Sequence, residues 1–133
     1  MMVKGSHQRE RMPIWRDAQR LLLEVEQAVK LFPRYHKYTL GTDLRRQAME
    51  ICRCLSRAVS ANGQARLSRV ERLVEQVDDM KITIQLAREL KVFNSFATFS
   101  RIAEQVVSIG KQGGAWLRHL RQRSAGPEPV ASS

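Results

Sequence analysis

The sequence predicts an all-α protein, an antiparallel up-down-up-down four-helix bundle. Four long stretches repeat apolar residues every three or four positions, and Pro33, Asn62-Gly63 and Phe93-Asn94-Ser95 break the pattern between them. The connections left over are a few residues long, which favours antiparallel neighbours. A chain of 133 residues makes one domain and buries roughly two thirds of the surface its unfolded form exposes. Neither metal nor disulfide is needed to hold it.

The first helix begins at Pro13, a residue suited to a first turn. Its apolar seam is expected along Trp15, Ala18, Leu22, Val25, Val29 and Phe32, in alternating steps of 3 and 4. Pro33 lacks a donor and clashes with a continuing helix, so the first helix stops there. After the connection Arg34 to Tyr38, Thr39 is placed to cap a second helix with Leu44, Ala48, Ile51, Leu55 and Ala58 inward. Asn62-Gly63 then turns the chain, and Ser68-Arg69-Val70-Glu71 fits a capping box that would open the third helix. Its stripe is Val70, Leu73, Val77, Met80, Ile84 and Ala87, widened by Val74, Leu86 and Leu90.

Phe93-Asn94-Ser95 closes the third helix and caps the fourth. The fourth carries one seam of Phe96, Phe99, Ala103, Val106, Gly110, Gly113, Leu117 and Leu120, with a second of Ile102, Ile109 and Trp116 beside it. That is more apolar face than a lone bundle requires, so part of it is expected to meet another subunit. At 1.5 Å per residue the helices are roughly 27 to 40 Å long. Residues 1–12, with Lys4, Arg9 and Arg11 and no periodicity, are expected to be a flexible basic arm. Residues 13–123 form the bundle, and residues 124–133, rich in Pro, Ser and Ala, a disordered tail. No apolar run approaches the roughly 20 residues that span a bilayer, and the N-terminus has no signal-peptide core, so a cytoplasmic protein without a membrane partner is expected.

Catalytic material is sparse. His7, His36 and His119 fall in the arm, a connection and a helix end, and none stands four residues from another His or Cys. Cys52 and Cys54 point about 200° apart on one helix and read as reduced packing thiols. Glu71, Glu75, Asp78 and Asp79 interleave with Arg69, Arg72 and Lys81 at spacings for intrahelical ion pairs, which favours a solvated face over a metal site. Gly110, Gly113 and Gly114 lie in a helical period and not in a phosphate loop. No enzyme activity, cofactor or metal is expected.

Charge is the stronger signal. Lys and Arg number 23 against 13 Asp and Glu, a net +10, and such self-repulsion is relieved by a polyanionic partner, nucleic acid first. Residues 30–57 hold seven bases and two acids and residues 101–123 five and one, whereas residues 58–100 nearly balance at six and five. The basic surface is therefore assigned to the second and fourth helices. Arg46, Arg53 and Arg57 follow steps of 7 and 4 on one face, with Arg45 bordering it. Lys111, Arg118 and Arg121 repeat the arrangement with steps of 7 and 3, although cations near a helix C-terminus also serve the helix dipole. In Arg34-Tyr35-His36-Lys37-Tyr38 basic and aromatic side chains alternate, a composition that stacks unpaired bases and neutralises phosphates. Arg34 and Lys37 join the candidate nucleic-acid-binding residues. Phe32 and Tyr38 are read as plugs of the bundle end, and Tyr35 is open to either role.

Several short motifs point to a family. Phe32-Pro33-Arg34, Tyr38-Thr39-Leu40-Gly41, Leu44-Arg45-Arg46, Ile109-Gly110-Lys111 and Gly114-Ala115-Trp116-Leu117 occur in an order and spacing that resemble the accessory variability determinant (Avd) proteins of diversity-generating retroelements. The resemblance runs from about Trp15 to Leu120. It implies a homopentameric barrel of four-helix bundles that binds reverse transcriptase and template RNA during mutagenic retrohoming and has no catalytic activity of its own. The Pro-to-Leu-Gly connection also resembles the four-helix proteins encoded in ribosomal RNA intervening sequences. Those would imply a protein or ribosomal partner instead. No individual binding residue is carried over from either family.

Overall fold

The computed structural model describes residues 6–125. Those residues form six helices: α1 (Ser6–Arg11), α2 (Pro13–Lys30), α3 (Arg34–Lys37), α4 (Leu40–Ser60), α5 (Gly63–Glu89) and α6 (Phe96–Ala125). There is no strand among them. The four long helices close a ring in which α2 packs on α4 and α6, and α5 packs on the same two. Leu21, Leu44, Ile51, Leu55, Leu73, Met80, Ile102 and Ile109 fill its centre with essentially no exposure. No helix among the described residues is long and apolar enough to cross a membrane.

The inward faces expected for the second and third predicted helices are those of α4 and α5: Leu44, Ala48, Ile51, Leu55 and Ala58, then Val70, Leu73, Val77, Met80, Ile84 and Ala87, are all buried. In α2 the seam runs one residue to the side of the expected one. Ile14, Leu21 and Ala28 are buried together with the expected Ala18, Val25, Val29 and Phe32, while Trp15 and Leu22 are only partly covered. In α6 both expected seams contribute, Ile102 and Ile109 of the second being buried together with Val106, Gly113 and Leu117 of the first, while Trp116 is only partly covered. Phe96 there is 68% exposed. Leu86 and Leu90, expected to widen the α5 stripe, face outward.

The ends of the elements also depart from expectation. Ser6–Arg11, expected in a flexible arm, is helical, with the Arg9 guanidinium 4.6 Å above the Trp15 ring and donating to Ser56 Oγ at 2.9 Å. Residues 1–5 and 126–133, the rest of the expected arm and most of the expected tail, lie outside the described residues. Helix α5 starts at Gly63, five residues before the expected capping box. Gly63 takes a positive φ of 56° that side-chain-bearing residues adopt at a cost. Arg66 braces the turn: its guanidinium donates to the carbonyl of Val59 at 2.8 Å and to that of Ala58, which also accepts from Ala61 N–H, at 3.1 Å. The far end of α5 closes with Val92 N–H on Ala87 O and Lys91 N–H on Arg88 O, the paired bonds that suit a left-handed residue, here Lys91 at φ 59°. Ser95 then caps α6 through its Oγ, which accepts from Thr98 N–H at 3.1 Å.

Both cysteines are free. Burial pushes the Cys52 thiol up to about 11 from 9.0. A raised thiol pKa means that the unfolded chain loses its proton first as pH rises. Stability from this group is therefore fully present below pH 9 and declines between about 9 and 11, by at most about 2–3 kcal/mol. Denaturant midpoints of the wild type and Cys52→Ala, measured from pH 7 to 11, should converge at the alkaline end.

Candidate nucleic-acid interface

Helix α4 carries four of the nine predicted binding residues, and its neighbours divide them. Arg45 points toward α2, where its Nε donates to Glu26 Oε1 at 2.6 Å. Arg46, Arg53 and Arg57 lie on another face, and Glu50 stands among them at steps of 4 and 3. Arg46 lies 3.4 Å from Asp43. Arg53 and Arg57 both approach Glu50, each at 3.7 Å. That separation is too long for a charge-assisted hydrogen bond. One carboxylate thus serves two guanidiniums and leaves their N–H groups open to solvent.

Across from this face, α5 contributes what the charge tally assigned to a near-neutral solvated surface. Arg69 and Arg72 line a groove between α4 and α5 together with Arg57, Glu50, Cys54 and Ser68. Arg72 reaches Glu75 at 3.5 Å, and Arg69 has no ion pair among the described residues. Burial and the charge of Glu50 raise the Cys54 thiol pKa, with Arg72 and Arg57 pulling it the other way. The thiol therefore stays protonated and donates weakly to Glu50 Oε1. The expected intrahelical pairing of the acidic cluster is present in Arg72–Glu75 and Lys81–Asp78.

Arg34 and Lys37 sit on the single turn of α3, at the end of the bundle where α4 begins. Neither has an ion pair among the described residues. Tyr35 is 85% and Tyr38 71% exposed. Tyr38 is therefore not the plug that the sequence suggested. Phe32 fills that role, meeting Phe93 edge-on at 5.5 Å, and Phe93 in turn meets Phe99. The end is closed by phenylalanines from three segments, so the tyrosine rings stay outside.

The fourth-helix group is less coherent. Lys111 and Arg118 are exposed and lack ion pairs among the described residues, whereas Arg121 reaches across to Glu71 of α5 at 3.2 Å. Helices α4 and α6 occupy opposite corners of the ring, so the two predicted clusters form separate surfaces. Five of the predicted residues, Arg45, Arg46, Arg53, Arg57 and Arg121, carry carboxylate partners. All five arginines are more than half exposed, where such pairs contribute roughly 0–1 kcal/mol and exchange readily for a phosphate. The cationic surface is diminished at Arg45, Arg46 and Arg121, where hydrogen bonds form, and persists along Arg53, Arg57 and Arg69.

Glu50 was legible in the sequence, since it falls in the same helical row as the arginines. Arg69 and Arg72 were not, because nothing local says which face of α5 turns toward α4. Among the described residues no three His, Cys, Asp or Glu side chains gather as a metal site would require. No protein-family model matches the chain, and no curated protein is significantly similar to it.

Proposed function

We propose that the protein is a non-catalytic accessory subunit of the diversity-generating retroelement type, which binds single-stranded template RNA and its reverse transcriptase through a basic surface. The observation that carries this reading is the exposed arginine face of α4, where Arg53 and Arg57 share one carboxylate, Glu50, each at 3.7 Å. The solvent-facing rings of Tyr35 and Tyr38, beside Arg34 and Lys37, add a stacking platform suited to unpaired bases. The motif resemblance supplies the retroelement context. Its residues Phe32 and Gly41 serve packing: a Cβ on Gly41 would lie 2.7 Å from Val29 Cγ1, so α4 and α2 approach closely at that point.

The proposed bundle is antiparallel. Asp17 accepts from Ser108 and Gln112 at 2.8 and 2.7 Å, while Glu24 accepts from Arg101 at 3.3 Å, so residue numbers rise along α2 as they fall along α6. The proposed assembly is a homopentamer in the cytoplasm, and the exposed apolar side chains Ile82, Leu86, Phe96 and Val107 on α5 and α6 supply an adhesive face for it.

Co-purification with the reverse transcriptase and RNA encoded beside the gene tests the reading. Retention of both at moderate salt, by a particle five times the chain mass in light scattering, is the expected result. A folded oligomer that retains neither rejects the assignment. A gene lying inside a ribosomal RNA intervening sequence would transfer it to the other family.

A further inference from the structure

The groove between α4 and α5 holds more cationic forks than its own carboxylate occupies. Arg57 from α4 and Arg69 and Arg72 from α5 line it with one carboxylate, Glu50, among the described residues, Arg72 also reaching Glu75 at 3.5 Å, and Ser68 adds a neutral donor. Its volume of ≈ 580 Å³ is ample for a phosphate group. Arg66, bonded to the carbonyls of Ala58 and Val59, fixes the turn that sets the two helices' spacing at this end.

We infer that this groove seats a backbone phosphate of a single RNA strand, gripped by Arg57, Arg69 and Arg72, and that Glu50 is the internal anion which the phosphate displaces. The inference rests on the nucleic-acid reading above and adds to it residues of α5. A tetrahedral phosphodiester offers acceptors in several directions and meets guanidiniums arriving from two helices. A planar carboxylate engages one or two, as Glu50 does, and leaves Arg69 unfilled. An acidic peptide would therefore gain little over the carboxylate already there. The row continues along α4, where Arg53 stands about 6 Å below Arg57, a step that lets a neighbouring phosphate follow. Displacement of Glu50 frees Arg53 at the same moment, because the two share that carboxylate.

Binding of a labelled single-stranded RNA oligonucleotide to the full chain, followed by fluorescence anisotropy across a salt series, tests this. Removing one phosphate-binding side chain should flatten the slope of log K against log salt by about 0.7, equivalent to roughly fourfold weaker binding at about 0.15 M salt. Arg69→Ala and Arg72→Ala are each expected to show both effects, while Arg20→Ala, the same charge change on the exposed surface of α2, shows neither. Glu50→Gln is expected to bind RNA more tightly than the wild type, and Glu104→Gln on α6 is not. Circular dichroism confirms that each variant is folded. If Arg69→Ala and Arg72→Ala behave like Arg20→Ala while variants of Arg46 and Arg53 lose affinity, the groove is rejected and the basic surface stands. Displacement of the RNA by millimolar inorganic phosphate would overturn the assignment to a polymer backbone. Wild-type protein that binds no RNA rejects the groove together with the reading beneath it.

Discussion

Leu21→Ala is expected to lower the unfolding free energy by about 2–5 kcal/mol, whereas Leu23→Ala, two residues along the same helix, should change it by less than about 0.5 kcal/mol. Leu21 has no exposure and Leu23 is 65% exposed. Truncating the first removes a side chain's burial and leaves a cavity between α2 and its neighbours. Truncating the second removes atoms already in water. Leu22, partly covered, should fall between. Urea titrations with unchanged slope give these differences directly as midpoint shifts. The contrast matters because it fixes the rotation of α2: equal costs at Leu21 and Leu23, or the largest cost at Leu22, would mean that the helix presents a different face to the core.

Simultaneous replacement of Arg46, Arg53 and Arg57 by alanine is expected to flatten the salt dependence of RNA binding by about 2 in log–log slope and to weaken binding about fiftyfold at about 0.15 M salt. The effect should exceed simple charge loss. Glu50, shared at 3.7 Å by Arg53 and Arg57, would be left without either guanidinium and would repel the strand. The folded state should barely notice, since the deleted pairs are exposed and contribute roughly 0–1 kcal/mol each. A triple variant with an unchanged slope removes α4 from the interface, whatever other surface then holds the RNA.

The candidate site was half legible. Steps of 7 and 4 identified the row of Arg46, Arg53 and Arg57, and the same arithmetic extends to Glu50, which tempers that row. Arg45 lies only one position from Arg46 yet ends on a different surface, because a 100° turn per residue carries it toward Glu26 of α2. Arg69 and Arg72 could not be assigned from a charge tally by segment: α5 is nearly neutral in sum, but its arginines gather where it meets α4.

By itself the sequence determined the class of fold, the breaks at Pro33 and Asn62-Gly63, the inward faces of α4 and α5, and the excess of positive charge. Those are properties of single helices, set by periodicity, missing donors and composition. Tertiary structure alone decided the flank on which α2 buries Leu21 and not Leu22, the outward position of Tyr38, and the meeting of Arg57 with Arg69 and Arg72. A heptad pattern is satisfied by two adjacent seams sharing Ala18, Val25 and Phe32, and the choice between them belongs to the neighbours that a helix touches on both sides.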